Sequence, residues 1–324
     1  MKRLYKILIC VSALSFFLTG CGKNAGSEDS SSKLKISVTV FPEYDWIKEI
    51  MGDRFKEADV ILLLDNGTDL HNYQPTAQDI VDIHSSDLFV YVGGESDKWV
   101  EDVLRMVKND GPETVNLMEV LKDRILKEEE AEGMQEEEHS HEEEETGYDE
   151  HVWLSLRNTE LLVSALADQL SVLDPEGESV YRANAEAYKK KLEELDAQYQ
   201  AAVSSGNKDT LLFADRFPFR YMTEDYGLNY YAAFAGCSAE SEASFETVLF
   251  LAKKTDELGL RSICTIESSD GSIARTVRDT TAGKDQKILV FDSLQSCGKK
   301  DAENGVTYYD VMRKNLEVLI EALD

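Results

Sequence analysis

Apolar positions along the chain fall into two patterns, short strand-like runs and longer runs with a helical period. KISVTVF (35–41) alternates as a strand, while ADVILLL (58–64) and DLFVYVG (87–93) are apolar runs of strand length. Between them, residues 45–51 closed by Gly52, the stretch QPTAQDIVDIHSS with Pro75 just ahead of its periodic part, and DKWVEDVLRMV read as helices. WLSLRNTELLVSALADQLSVL (153–173) is amphipathic, and 174–203 carries the longest helical pattern in the chain. Asp174 is expected to cap it, with Pro175 in its first turn. The alternation then resumes: TLLFAD strand, FRYMTEDYG helix, NYYAAF strand, SFETVLFLAKKTDELG helix, RSICTIE strand, SIARTVRDTTAG helix, KILVFD strand, and a last helix over 308–323. Strands alternating with helices at this spacing build parallel β/α units. The fold class expected is therefore α/β: two β/α lobes with mainly parallel sheets, 34–173 and 205–324, joined by one long helix over 174–204.

The first twenty residues alter this picture at one end. They begin with Lys2, Arg3 and Lys6, continue as an apolar run too short to span a bilayer comfortably, and end in small residues, as an export signal does. Leu18-Thr19-Gly20-Cys21 resembles a bacterial lipobox, which implies lipidation of Cys21 once residues 1–20 are removed. Residues 21–33 are polar and rich in Ser and Gly, a composition suited to a flexible tether. The expected location is extracytoplasmic, at the cell surface, anchored through lipid to the cytoplasmic membrane.

Charge excludes one class of partner. The formal net charge is −29, and loss of three basic residues with the signal moves it to −32. Phosphate backbones would be repelled, so no nucleic-acid partner is expected; a cationic ligand is compatible. Residues 128–150 hold thirteen of the acidic side chains and no Lys or Arg, so a disordered acidic loop is expected over 128–147. Cys237, Cys264 and Cys297 remain in the mature chain, enough for at most one disulfide, and with no CxxC spacing a thiolate zinc cluster is not expected.

Candidate chemistry rests on few residues. His71, in NGTDLHNYQPT, follows a strand and a glycine turn, where a ring nitrogen can point into a cleft; the alternative is a polar loop histidine. His151, in YDEHVWLSLRN, adjoins Asp149 and Glu150, and a neighbouring carboxylate such as Glu150 can fix an imidazole's tautomer from behind. His139 and His141 stand among glutamates, as a loose metal collector or a solvated spacer. His84 reads as structural. Asp215, Glu267 and Asp292 each end an apolar run, where a parallel sheet delivers side chains to a cleft, although any of them could instead cap a helix. Two imidazoles with one or two carboxylates suit zinc or manganese.

With GTDLHNYQPTAQDI, DEHVWLSLRN after an acidic histidine-bearing insertion, RYMTEDYGLNYYAAF and VFDSLQ in view, the chain resembles the metal-specific solute-binding lipoproteins of bacterial ABC importers over nearly its whole mature length. The resemblance implies two lobes bridged by a single helix with the ion buried in the interlobe cleft. It makes His71 and His151 the first two ligands and Asp292 the closing carboxylate, and its acidic loop favours Zn2+ over the alternative Mn2+. The family's third histidine falls on Arg216, which stays protonated and takes no metal. Asp215 next to it is then the expected substitute, with Arg216 bracing a carboxylate and Glu267 supporting from behind. The implied role is capture of a divalent ion and its delivery to an ABC permease by a monomer, without catalysis. A metal-dependent hydrolase and a surface adhesin are the alternatives.

Overall fold

The computed structural model describes residues 33–65, 67–107, 111–135, 147–238 and 242–324. In the N-terminal lobe β1 (Lys35–Val38), α1 (Phe41–Met51), β2 (Asp59–Leu62), α2 (Ala77–His84), β3 (Leu88–Tyr91), α3 (Lys98–Val107), β4 (Glu113–Asn116) and α4 (Leu117–Leu121) follow in order. α5 (Leu156–Leu173) and α6 (Glu178–Ser205) come next. The C-terminal lobe holds β5 (Thr210–Phe217), α7 (Arg220–Tyr226), β6 (Asn229–Ala235), α8 (Phe245–Leu258), β7 (Ser262–Ile266), α9 (Ser272–Thr280), β8 (Lys287–Phe291), α10 (Lys299–Glu303) and α11 (Tyr308–Ala322).

Each lobe carries one four-stranded sheet, ordered β2-β1-β3-β4 and β6-β5-β7-β8, and every pairing is parallel. The apolar runs explain this: strands such as β3 (LFVY) and β7 (SICTI) are buried along nearly their whole length, as sheets covered on both faces require. One continuous apolar core runs from Ile36 and Val38 of the first sheet, through Trp46, Trp153 and Tyr308, to Phe213 and Phe291 of the second. The two lobes thus share an interior.

α6 is the spine of that arrangement. Its 28 residues span about 42 Å at 1.5 Å per residue. Tyr181, Ala185, Tyr188, Leu192, Leu195 and Tyr199 form its one buried stripe at helical spacing. Near its start Asn184 Nδ2 donates to Ile50 O of the N-terminal lobe at 3.0 Å; near its end the Tyr199 hydroxyl donates to Met312 O of the C-terminal lobe at 2.6 Å. It begins at Glu178, not at Pro175. Asp174 is drawn instead to Arg54 Nη2 at 2.7 Å and to the Tyr181 hydroxyl at 2.5 Å, and residues 174–177 close as a turn with Gly177 N donating to Asp174 O.

The acidic stretch also departs from expectation. Residues 128–135 lie across the C-terminal lobe: Gln135 N donates to Ala233 O at 2.9 Å, Arg220 pairs with Glu129 at 2.7 Å and Lys254 with Glu132 at 3.3 Å. A bridge between Lys127 and Tyr148 closes the base of the stretch. Disorder therefore does not hold for 128–135. Among the described residues no helix is long and apolar enough to cross a membrane.

Candidate metal centre

His71 sits in the 3₁₀ turn Leu70–Asn72 beyond β2. Asp69 caps that turn, its Oδ1 accepting from His71 N at 3.0 Å, while buried Leu70 anchors it. The ring's Nδ1 meets Ser96 Oγ at 2.9 Å and Glu150 Oε2 at 3.4 Å, which leaves Nε2 as the outward nitrogen. Glu150 is itself placed by Ser96 N, which donates to its Oε1 at 2.8 Å. Gly94 makes room for it: φ is +84°, and a Cβ there would lie 2.4 Å from Glu150 Oε1.

His151 is fully buried. Asp149 Oδ1 accepts from His151 N at 2.8 Å and meets its Nδ1 at 3.0 Å, so this ring too is held from behind by a carboxylate. Trp153 packs edge-on against it, with ring centroids 5.3 Å apart, and donates from Nε1 to Ser293 O of the opposite lobe at 2.9 Å. The two Nε2 atoms end 3.2 Å apart. A tetrahedral zinc ion with Zn–N bonds of about 2.0–2.1 Å sets two nitrogens about 3.3 Å apart, so the pair already has the spacing of two ligands to one ion.

A third donor joins them, and it is not a carboxylate. Among the described residues, the donor atoms of His71, His151 and Cys237 all lie within 4.8 Å of one another. Cys237 follows β6 in a turn closed by Ser238 N donating to Ala235 O at 3.3 Å. The turn can approach because residue 236 is glycine; a Cβ there would lie 2.8 Å from Phe217 O and 3.2 Å from His151 Cε1. Glu128, the first residue of the acidic stretch, accepts from Cys237 N at 3.1 Å.

Arg216 ties the two turns together. Its Nη1 pairs with Asp69 Oδ2 at 2.7 Å and reaches Ser238 O at 3.4 Å. Burial would raise the Asp69 carboxyl, but the Arg216 charge and hydrogen bond, with His71, outweigh it and hold that group below the usual range. Glu150 behaves alike: burial pushes it up, and hydrogen bonds from His71 and Ser96 bring it below the usual value. Burial pushes the Cys237 thiol well up, and Asp149, Glu128 and Glu150 add to the rise, so with no cation beside it the sulfur is protonated.

None of the carboxylates expected at strand ends is among these three donors. Asp215 crosslinks its own sheet: Oδ2 accepts from the Thr265 hydroxyl and from Ile266 N, and Oδ1 from Arg216 N at 2.9 Å. It is not one of the three converging donors. Asp292 Oδ1 accepts from Leu294 N at 2.8 Å; burial, then the neighbouring Glu267, push this carboxyl up to about 6, and it too stands outside the converging trio. Glu267 gathers the next loop, accepting from Ser293 N at 2.8 Å and from the hydroxyls of Ser293 and Ser296 at 2.9 and 3.0 Å. His84 is exposed at the end of α2. His139, His141 and Cys21 lie outside the described residues. Sequence reasoning missed Cys237, weighing it only as a disulfide partner; among the described residues it, Cys264 and Cys297 are free.

Two parallel α/β lobes spanned by one helix, with donors converging where the lobes meet, define a solute-binding protein of the metal-ion class. Residues 36–322 match the family described as zinc-uptake complex component A, periplasmic, and the chain belongs to that family. It is 30% identical over 328 residues to the zinc-binding protein AdcA of Streptococcus pyogenes, a match covering 97% of this chain and 61% of that protein. The chain thus spans about three fifths of the length of such streptococcal relatives. The high-affinity zinc uptake system protein ZnuA of Bacillus subtilis is 28% identical, with 98% of this chain and 97% of the relative covered. The Zn(II)-bound ZnuA-like domain of Streptococcus pneumoniae AdcA superposes with a TM-score of 0.71 at 29% identity, covering 90% of this chain and 99% of that domain.

Proposed function

We propose that this protein captures a Zn2+ ion outside the cytoplasmic membrane and delivers it to the permease of an ABC importer, anchored there by a lipid on Cys21. The observation that carries the reading is the 3.2 Å approach of two imidazole nitrogens whose other ring nitrogens are already engaged. Oriented in this way, both rings present lone pairs to one point, an arrangement a divalent cation satisfies. Membership in a zinc-uptake family and likeness to a zinc-bound domain supply the metal. The acidic surface raises the local concentration of cations and their association rate, an effect salt should blunt. Capture needs no chemistry on the ion beyond exchange of protons for metal.

Calorimetric titration of the purified protein with zinc tests this. One tight site is expected. His71→Ala and His151→Ala should each weaken it more than about 100-fold, since loss of an outer partner alone typically costs 10–100-fold. Absence of saturable zinc binding by the wild type would sink the reading.

A further inference from the structure

We propose that the Cys237 thiolate is the third metal donor, so that the ion sits between two imidazoles and one sulfur. The inference rests on the reading of His71 and His151 as the first two. Geometry comes first. In a tetrahedral site with Zn–N near 2.0–2.1 Å and Zn–S near 2.3 Å, sulfur lies about 3.5 Å from each nitrogen. The Cys237 Sγ is already within 4.8 Å of both. Closing the remainder takes a shift of at most about 1.3 Å in a turn, with Zn–S and Zn–N lengths as above.

That turn is placed by groups belonging to the site. Glu128 holds the Cys237 amide, Arg216 reaches the Ser238 carbonyl, and Gly236 rests against the His151 ring. A thiol that coordinates a doubly charged ion gives up its proton to do so. On coordination the S–H bond breaks, its electron pair stays on sulfur and forms the bond to metal, and the proton leaves to water. Nothing is oxidised or reduced. The other two thiols do not compete: Cys264 is buried within β7, Cys297 in a loop beyond β8, and neither joins the imidazoles.

The consequence is selectivity. A sulfur donor beside two nitrogens suits zinc, whereas manganese prefers carboxylate, carbonyl and water oxygens.

Cobalt(II) titration of the full protein, followed by absorption, tests the assignment. A sulfur-to-cobalt charge-transfer band is expected for the wild type. Cys237→Ser should abolish that band and weaken zinc binding by roughly 100-fold, while Cys297→Ser should leave both as they were. Tight cobalt binding without the band, or wild-type zinc affinity in Cys237→Ser, overturns the third donor and leaves the imidazole pair standing. Failure of the wild type to bind either ion overturns both readings. If Cys237→Ser does not fold, the wild-type spectrum and its survival in Cys297→Ser decide the matter.

Discussion

The two sheets are laid out on one plan, and they arm the site differently from the same position. β2 and β6 each form the edge beside the first strand of their sheet, and each runs into a turn that reaches the centre. After β2 comes His71; after β6 comes Cys237. The first donor is aimed by side chains, since Ser96 and Glu150 occupy its inner nitrogen. The second is placed through backbone, by Glu128 on its own amide and Arg216 on the next carbonyl. Donor chemistry accounts for the difference. An imidazole has two nitrogens and must be told which one faces the ion, whereas a thiol has a single donor atom and needs only its Cα in place.

Arg216 connects the two halves of this comparison, so breaking it should have the largest effect. Both it and Asp69 are less than a quarter exposed, so screening by water is partial. Arg216→Met leaves Asp69 with a poorly solvated, unpaired charge. A loss of about 1.5–3 kcal/mol in stability is expected, as for a hydrogen bond to a charged group. Zinc affinity should drop about 10–100-fold, because the turn under His71 loosens. Asp69→Asn should cost less in the Arg216→Met background than in the wild type. Denaturation and zinc titration of all four proteins in the cycle provide the check; strictly additive losses would show that the two turns are not coupled.

A second contrast lies at the central strands. Each lobe sets a carboxylate on backbone N–H groups near its first strand: Glu43 accepts from Thr39 N at 2.7 Å and Val40 N at 3.1 Å just past β1, and Asp215, inside β5, accepts from Arg216 N at 2.9 Å and from Ile266 N of the neighbouring β7 at 3.4 Å. Glu43 has no exposure at all, and burial, helped by nearby Asp97, pushes its carboxyl from 4.5 up to about 8. The folded protein therefore keeps this proton while the unfolded chain has released it. Between about pH 4.5 and 8 folding stability should fall as pH rises, by up to about 1.4 kcal/mol per pH unit from this group. Glu43→Gln removes the term. Its unfolding midpoint in denaturant should gain on the wild type steadily from pH 5 to pH 8, and parallel curves would show that Glu43 is ionised in the folded state.

Much of this architecture is legible in the sequence because each buried strand is an apolar run bounded by turn residues. The exceptions have physical causes. β4 buries only Val115 of its four residues and so leaves no run to read. Asp174 resembles a cap, but it pairs with Arg54, 120 residues away, a contact no local pattern reveals. His71 and His151 are visible because imidazoles are scarce and both sit at turns beside carboxylates. Cys237 is not visible, because reasoning from strand ends favours acidic residues and a lone thiol carries no spacing signal. The acidic stretch holds a clue, since Ala131, Gly133, Met134 and Gln135 interrupt the glutamates where the chain lies on the other lobe.

That interruption divides the stretch in two, and the smallest effect expected comes from its outer part. Residues 136–146 contribute seven glutamates with His139 and His141, whereas 128–135 contribute Glu128 on Cys237 and the hydrogen bonds of Gln135. The base is pinned by the Lys127–Tyr148 bridge and by Glu128 N donating to Gly147 O at 2.8 Å, and Gln135 is held separately on Ala233 O at 2.9 Å, so a flexible Gly/Ser link of matched length in place of 136–146 leaves both ends fixed. Replacing 136–146 should therefore leave the tight zinc site nearly untouched and remove only weaker, additional equivalents of zinc. Removing 128–146 should cost about tenfold in the tight site, because Glu128 no longer holds the thiol turn. Calorimetry on the two variants separates them: a tight site lost with 136–146 alone would place a ligand among those residues and end the division between collector and centre.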